Sequence, residues 1–130
     1  MNSFDDAYVF IIGSPRSGTT ILGEILDLHR DIRQWYEPYF IWDRYFRLSQ
    51  DDERSAEDAD SRVIGYIRRN FERYRSKCNC RFVVDKSPRN SLKVPFIRKI
   101  FPGARFVHII RDGRDTTLSI NREWSTRVDI

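Results

Sequence analysis

Residues 13–20 read Gly-Ser-Pro-Arg-Ser-Gly-Thr-Thr, a combination suited to holding a tetrahedral anion. Gly13 and Gly18 let the backbone turn tightly and approach a ligand closely. Ser17, Thr19 and Thr20 bring hydroxyl donors, and Arg16 brings a permanent charge with a fork of N–H groups. A nucleoside triphosphatase would follow the second glycine with lysine and then a magnesium-binding hydroxyl. Here Gly18 is followed by Thr19 and Thr20, which argues against an ATPase or a kinase, although Thr20 could still reach a metal. The competing reading is a tight connection that binds nothing.

A second pair of residues points to the same chemistry. Arg111 stands at the end of the apolar run in "ARFVHIIRD", and Ser119 follows eight positions later. An arginine at the carboxyl end of a strand, with a serine two turns into the next helix, could hold a second phosphate. Alternatively, Arg111 pairs with Asp115 and Ser119 faces solvent.

The elements that must position these residues follow from hydrophobic periodicity. Tyr8 to Gly13 is a continuous apolar run ended by glycine, the pattern of a strand buried on both faces. Ile21, Leu22, Ile25, Leu26 and Leu28 repeat at helical spacing, predicting a helix from Gly18 to about His29. Backbone N–H groups at such a helix start lack intrahelical partners and favour an anion. A short strand is expected in "DIRQWYEP", an aromatic-rich helix over Tyr39 to Leu48, and an exposed acidic loop over Ser49 to Asp60.

From Ser61 a helix is expected with Val63, Ile64, Ile67, Phe71 and Tyr74 inward. Its other face carries Arg62, Arg68, Arg69, Arg73, Arg75 and Lys77, either a basic patch or a solvated surface. "RFVVD" reads as a strand, Leu92 to Phe101 as a helix stopped by Pro102-Gly103, "ARFVHIIRD" as a third buried strand, and Asp112 to about Trp124 as a helix. His108, inside that strand, is expected to be a core histidine, and His29 to end its helix. The alternation implies an α/β fold, a parallel β-sheet flanked by helices.

At this point two motifs carry a family resemblance. "GSPRSGTT" resembles the loop that holds the 5′-phosphosulfate in sulfotransferases using 3′-phosphoadenosine 5′-phosphosulfate. "RFVHIIRDGRDTTLS" is similar to that family's 3′-phosphate segment, where a strand-end arginine and a serine eight positions later bind the phosphate. The resemblance implies a three-layer fold like that of P-loop nucleoside triphosphatases, with Arg16, Ser17, Gly18, Thr19, Thr20, Arg111 and Ser119 holding the donor. The product would be adenosine 3′,5′-bisphosphate, with no metal required.

The glycan- and tyrosylprotein-modifying branches carry a glutamate base about twenty residues beyond the loop, and Glu37 in "WYEPYF" stands at that distance. Partial burial beside Trp35 and Tyr36 would make it a better base. Glu24 is the competing carboxylate, inside the first helix. Lys86 in "VVDKSPRN" resembles a family lysine that neutralises charge in the transition state. Asp85 is expected to orient it, and Arg89 to recruit an anionic ligand. Arg16, Glu37 and Lys86 are therefore the expected catalytic residues. Sugar, tyrosine, lipid and small alcohol all fit as acceptors, and Trp35, Tyr36, Tyr39, Phe40 and Trp42 either line the acceptor pocket or form core.

Composition bounds these readings. A chain of 130 residues fits a single domain, and 40% hydrophobic with 32% charged residues is ordinary for a globular protein. A net charge of +4 is too small to argue for nucleic acid. No apolar run is long enough for a membrane span, and the acidic N-terminus does not read as a secretory signal. Cys78 and Cys80 have no partners at zinc-ligand spacing, so a cytoplasmic setting is the default. Members of the family are generally longer, so the resemblance implies the donor-binding portion, residues 1–130, of a domain truncated at its C-terminus. A kinase-like P-loop protein and a donor-binding but inactive fragment are the alternatives.

Overall fold

The computed structural model describes residues 5–128 of the chain. Four strands, β1 (Tyr8–Gly13), β2 (Ile32–Tyr36), β3 (Phe82–Lys86) and β4 (Arg105–Ile109), form one sheet in the order β2-β3-β1-β4. All three strand pairings are parallel, so every strand ends on the same edge and every connection is a crossover. The helices are α1 (Thr19–Asp27), α2 (Tyr39–Trp42), α3 (Ser61–Cys78), α4 (Val94–Ile100) and α5 (Gly113–Val128).

Side-chain alternation divides the sheet into two faces. Tyr8, Phe10 and Val83 belong to a core cluster with Ile41 and Trp42 of α2, Val63, Ile67 and Phe71 of α3, and Phe96, Ile97 and Ile100 of α4. Ile11 and Val84, at intervening positions, are buried as well, on the face where α1 packs across β2, β3 and β1. The result is three layers. Phe71 is the hub of the larger face, its ring within 6.0 Å of those of Tyr8, Phe10, Trp35, Trp42 and Phe101. α3 runs its full eighteen residues, capped by Asp60, whose carboxylate accepts from the Val63 N–H, and ended by Asn79 in the left-handed region.

Five expectations change. The aromatic segment 39–48 is helical only over Tyr39–Trp42, because Trp42 and Asp43 turn inward to polar partners on β3 and its following turn. The 49–60 loop is not wholly exposed: Arg54 is buried, its guanidinium against the Phe46 ring and donating to the carbonyls of Asp51 and Glu53. β4 is an edge strand of exposed and half-buried residues rather than a buried one. His108 is correspondingly exposed rather than a core residue, since β4 pairs with β1 alone among the described residues. The basic face of α3 is partly internal: Arg68 donates to the Ile100 carbonyl, and Arg75 pairs with Glu72. Among the described residues no helix is long and apolar enough to cross a membrane.

Candidate functional site

The loops after β1 and β3 leave the sheet toward opposite faces, which opens a crevice at their carboxyl ends. A cavity of about 310 Å³ lies there. Its first wall is the glycine loop. Gly13 is required by close approach, because a Cβ there would stand 2.7 Å from the Ile109 carbonyl of the neighbouring strand. Gly18 caps α1 at φ 105°, a conformation that L side chains rarely adopt. Between them Arg16 also takes a positive φ of 66°, and Pro15, Arg16, Gly18, Thr19 and Thr20 face the cavity. Ser17 does not line it; its hydroxyl donates to the Ser14 carbonyl at 2.6 Å and tightens the loop instead.

The second wall comes from β4 and α5. Arg111 donates to the Arg16 carbonyl at 2.8 Å, not to Asp115. Arg16 Nε donates to Ser119 Oγ at 3.1 Å, and its Nη1 lies 3.5 Å from Glu123. The two motifs identified separately in the sequence therefore meet in one cavity.

The third wall is the end of β2 and β3. Tyr36 pairs in register with Lys86, and the Glu37 N–H continues the ladder to the Lys86 carbonyl at 3.1 Å. Glu37 then turns at φ 47°, and its Oε1 accepts from Lys86 Nζ at 2.6 Å. Lys86 is buried and also lies 4.6 Å from the centre of the Tyr36 ring. Glu37 thus faces a cation rather than an apolar pocket: Trp35 points away and stacks on Tyr74 at 4.2 Å. Behind Glu37, burial and the Glu37 charge push the Tyr39 hydroxyl up to about 12.

Asp85 does not orient Lys86. Adjacent residues of a strand point to opposite faces, and Asp85 is wholly buried on the core face, accepting from Trp42 Nε1 at 2.8 Å and Asn90 Nδ2 at 3.3 Å. Burial pushes its carboxyl up to about 7, against the opposing pull of those hydrogen bonds and of Lys93. Arg89 is likewise engaged internally, with Asp43 at 3.2 Å, with Asp52, and over the Tyr39 ring, so it is not poised to recruit a ligand. The aromatic cluster splits: Trp35 and Trp42 belong to the core, Tyr36 lines the cavity, and Phe40 is exposed. Glu24 is exposed on α1 and does not reach the cavity. Sequence reasoning missed Glu123 and Pro88, which also line it; for Glu123 the signal was present, since it follows Ser119 by one helical turn.

Chemically, the cavity offers a helix N-terminus, two arginines, a buried lysine and a carboxylate hydrogen-bonded to that lysine. This is an arrangement for binding a polyanion and accepting a proton beside it. A family model described as "Sulfotransferase family" matches residues 8–128. The chain is 30% identical over 128 residues to protein-tyrosine sulfotransferase 1 of Danio rerio, covering 89% of this chain and 36% of that protein. It is 27% identical to protein-tyrosine sulfotransferase A of Caenorhabditis elegans, over 87% of this chain and 32% of the relative. It is also 25% identical to the nodulation protein NoeE of Sinorhizobium fredii, over 88% and 31% respectively. The chain spans about a third of the length of these curated relatives.

Proposed function

The chain belongs to the sulfotransferase family, and from that premise we propose that its cavity is the donor end of a sulfuryl-transfer site. The donor would be 3′-phosphoadenosine 5′-phosphosulfate. It supplies an activated sulfuryl group, whose bond to the bridging phosphate oxygen breaks as an acceptor oxygen or nitrogen bonds to sulfur, leaving adenosine 3′,5′-bisphosphate. The observation that carries this reading is the convergence of Arg16, Arg111 and Ser119 with the Glu37–Lys86 pair around a single cavity.

In this reading, the N–H groups at the start of α1 and the hydroxyls of Thr19 and Thr20 receive the 5′ end of the donor. Ser17 acts indirectly, by fixing the loop through Ser14. Arg111 and Ser119 hold the 3′-phosphate, and Arg16 stands between the two anionic ends. Lys86 and Arg16 oppose the negative charge that builds on the bridging and sulfuryl oxygens, as preorganised donors do in other group transfers. Glu37 accepts the acceptor's proton at its carboxylate. Lys86 fixes the direction of that carboxylate and exchanges part of its interaction with Glu37 for one with the developing charge. Tyr36, Ile21 and Pro88 flank the pair and form the side from which an acceptor hydroxyl approaches. Two of the cited relatives are protein-tyrosine sulfotransferases by name, and an exposed Tyr36 beside the pair suits a planar phenol; a tyrosyl acceptor is therefore the first to test.

Calorimetric titration with adenosine 3′,5′-bisphosphate, against ATP with and without magnesium, tests the donor assignment. Selective binding of the bisphosphate without metal is expected. Preference for magnesium-ATP would replace this reading with a kinase-like one.

A further inference from the structure

Two carboxylates line the cavity, Glu37 and Glu123, and the reaction proposed above uses Glu37 but leaves Glu123 without a part in it. Glu123 lines the cavity together with the cations Arg16, Lys86 and Arg111. It also borders an adjoining, more open groove of about 420 Å³ that it shares with Arg16, Ser119, Arg122 and Thr126. A carboxylate at that junction runs against the charge complementarity such a site needs, because like charges brought together in a binding site cost affinity.

The geometry gives this carboxylate a specific target. Ser119 and Glu123 are four residues apart on α5 and so share one face of the helix. That face supplies Arg16 with one acceptor and one counter-ion: Ser119 Oγ at 3.1 Å from Nε, and Glu123 Oε2 at 3.5 Å from Nη1. Arg16 is thereby held in the cavity wall by groups more than a hundred positions later in the sequence. The glycine loop carries no acid of its own, so Glu123 is the acidic neighbour of its arginine that the described ion pairs record. Lys86 has Glu37 as its counter-ion, but that carboxylate has a role in proton transfer. Glu123 has none.

We infer that Glu123 is an internal competitor for the polyanion, holding Arg16 through an ion pair that an incoming phosphate must displace, and thereby lowering and tuning donor affinity. The inference rests on the donor-site reading above. A phosphate oxygen reaching Arg16 displaces the carboxylate from its ion pair, so the net gain from that contact is a charge-assisted hydrogen bond less the ion pair it breaks, rather than the whole bond. The same exchange disfavours singly charged ligands, which cannot offset the lost pair, relative to the doubly phosphorylated nucleotide.

The pair is partly solvated, with 48% of the Arg16 side chain and 35% of the Glu123 side chain exposed, so its strength is that of a surface ion pair. Removing the charge in Glu123→Gln is therefore expected to tighten binding of adenosine 3′,5′-bisphosphate by roughly two- to fivefold at low salt. The gain should shrink as salt screens it. Calorimetric titration of the wild-type chain, Glu123→Gln and Glu123→Ala measures this directly, with circular dichroism reporting that each variant is folded. Glu53→Gln, which removes the same charge from an exposed position of the 49–60 loop, is the control for overall charge. Tighter binding in both Glu123 variants and not in Glu53→Gln supports the inference. Unchanged or weaker binding in the Glu123 variants, or an equal gain in Glu53→Gln, overturns it while leaving the donor site standing. Failure of every chain to bind the bisphosphate would overturn the donor-site reading and this inference together.

Discussion

Asp85 makes the stability of the fold depend on pH in an unusual direction, and Asp85→Asn tests it. The carboxyl is wholly buried between Trp42 and Asn90. The nearest ammonium, Lys93, is itself buried and lies 3.5 Å from Asp43. Desolvation therefore outweighs the opposing pull of Ser87, Trp42, the Lys93 charge and Asn90, and pushes the carboxyl from its ordinary 3.8 up to about 7. Between those values the folded chain keeps a proton that the unfolded chain has already released. The unfolded state then binds fewer protons, so stability falls as pH rises through this window and levels off above the folded value. Two pH units of that window, from pH 5 to 7, correspond to about 3 kcal/mol. Asparagine keeps the size of the protonated acid but cannot titrate. Urea unfolding followed by circular dichroism, from pH 5 to 8, should show the wild-type chain losing about 3 kcal/mol more than the variant over that range. Groups that do not interact with Asp85 titrate alike in both chains, so the comparison does not depend on the absolute cost of the substitution. Parallel pH profiles would mean that Asp85 is ionised throughout, and that Ser87, Trp42, Lys93 and Asn90 together outweigh burial.

Arg111→Ala should weaken adenosine 3′,5′-bisphosphate by about tenfold or more, the scale of one hydrogen bond to a charged group, while 5′-AMP changes little in the same titration; equal losses would remove Arg111 from the 3′-phosphate. Glu37→Gln leaves the Lys86 ammonium buried beside a neutral amide. With side-chain exposures of 4% for Lys86 and 27% for Glu37, the loss in urea unfolding should be about 1–3 kcal/mol, below the range for fully buried pairs. Adding Lys86→Met should recover part of that loss, and simple additivity would show that the two side chains do not interact. Gly18→Ala meets no atom within 4 Å, so any cost comes from its φ of 105°; a loss of about 1–2 kcal/mol is expected, and an unchanged urea midpoint would mean that the loop relaxes.

Sequence reading succeeded where the requirement is local. Gly18 is dictated by a left-handed cap, a requirement of the strand–loop–helix connection itself. The order of strands and helices followed from apolar periodicity for the same reason. It failed where a distant partner decides. The segment Tyr39 to Leu48 has the composition of an aromatic helix, yet Trp42 bonds to Asp85 across forty-three positions, and the helix stops there. The apolar run at β4 correctly marks a strand, but periodicity carries no information about how many neighbours the strand has. Arg89 and Asp85 were read as members of the site because they flank Lys86 in sequence. The pleat and the acidic residues Asp43 and Asp52 assign both to the structure beneath it.

The Glu37–Lys86 pair owes its geometry to sheet register rather than to loop conformation. Tyr36 stands opposite Lys86 at the last paired position of β2 and β3, and the Glu37 N–H extends the ladder by one hydrogen bond to the Lys86 carbonyl. The positive φ of Glu37 then swings its side chain back over the neighbouring strand, while Pro38 and the Tyr39 N–H, bonded to the Glu37 carbonyl at 2.7 Å, lock the turn. One residue earlier on β3, Asp85 faces the opposite way and fastens α2 through Trp42. Two adjacent residues of one strand thus serve the two sides of the sheet, Asp85 tying the core together and Lys86 aligning the carboxylate. A one-residue slip of register would exchange them, placing Asp85 in the cavity beside Glu37 and a lysine against Trp42. Val83 and Val84, buried on opposite faces, would only trade places in that slip, so what opposes it is the cost of setting a lysine in the aromatic core and parting Asp85 from its hydrogen bonds. The polar partners of Asp85 and Lys86 therefore fix both the register and which of the two neighbouring charges the cavity receives.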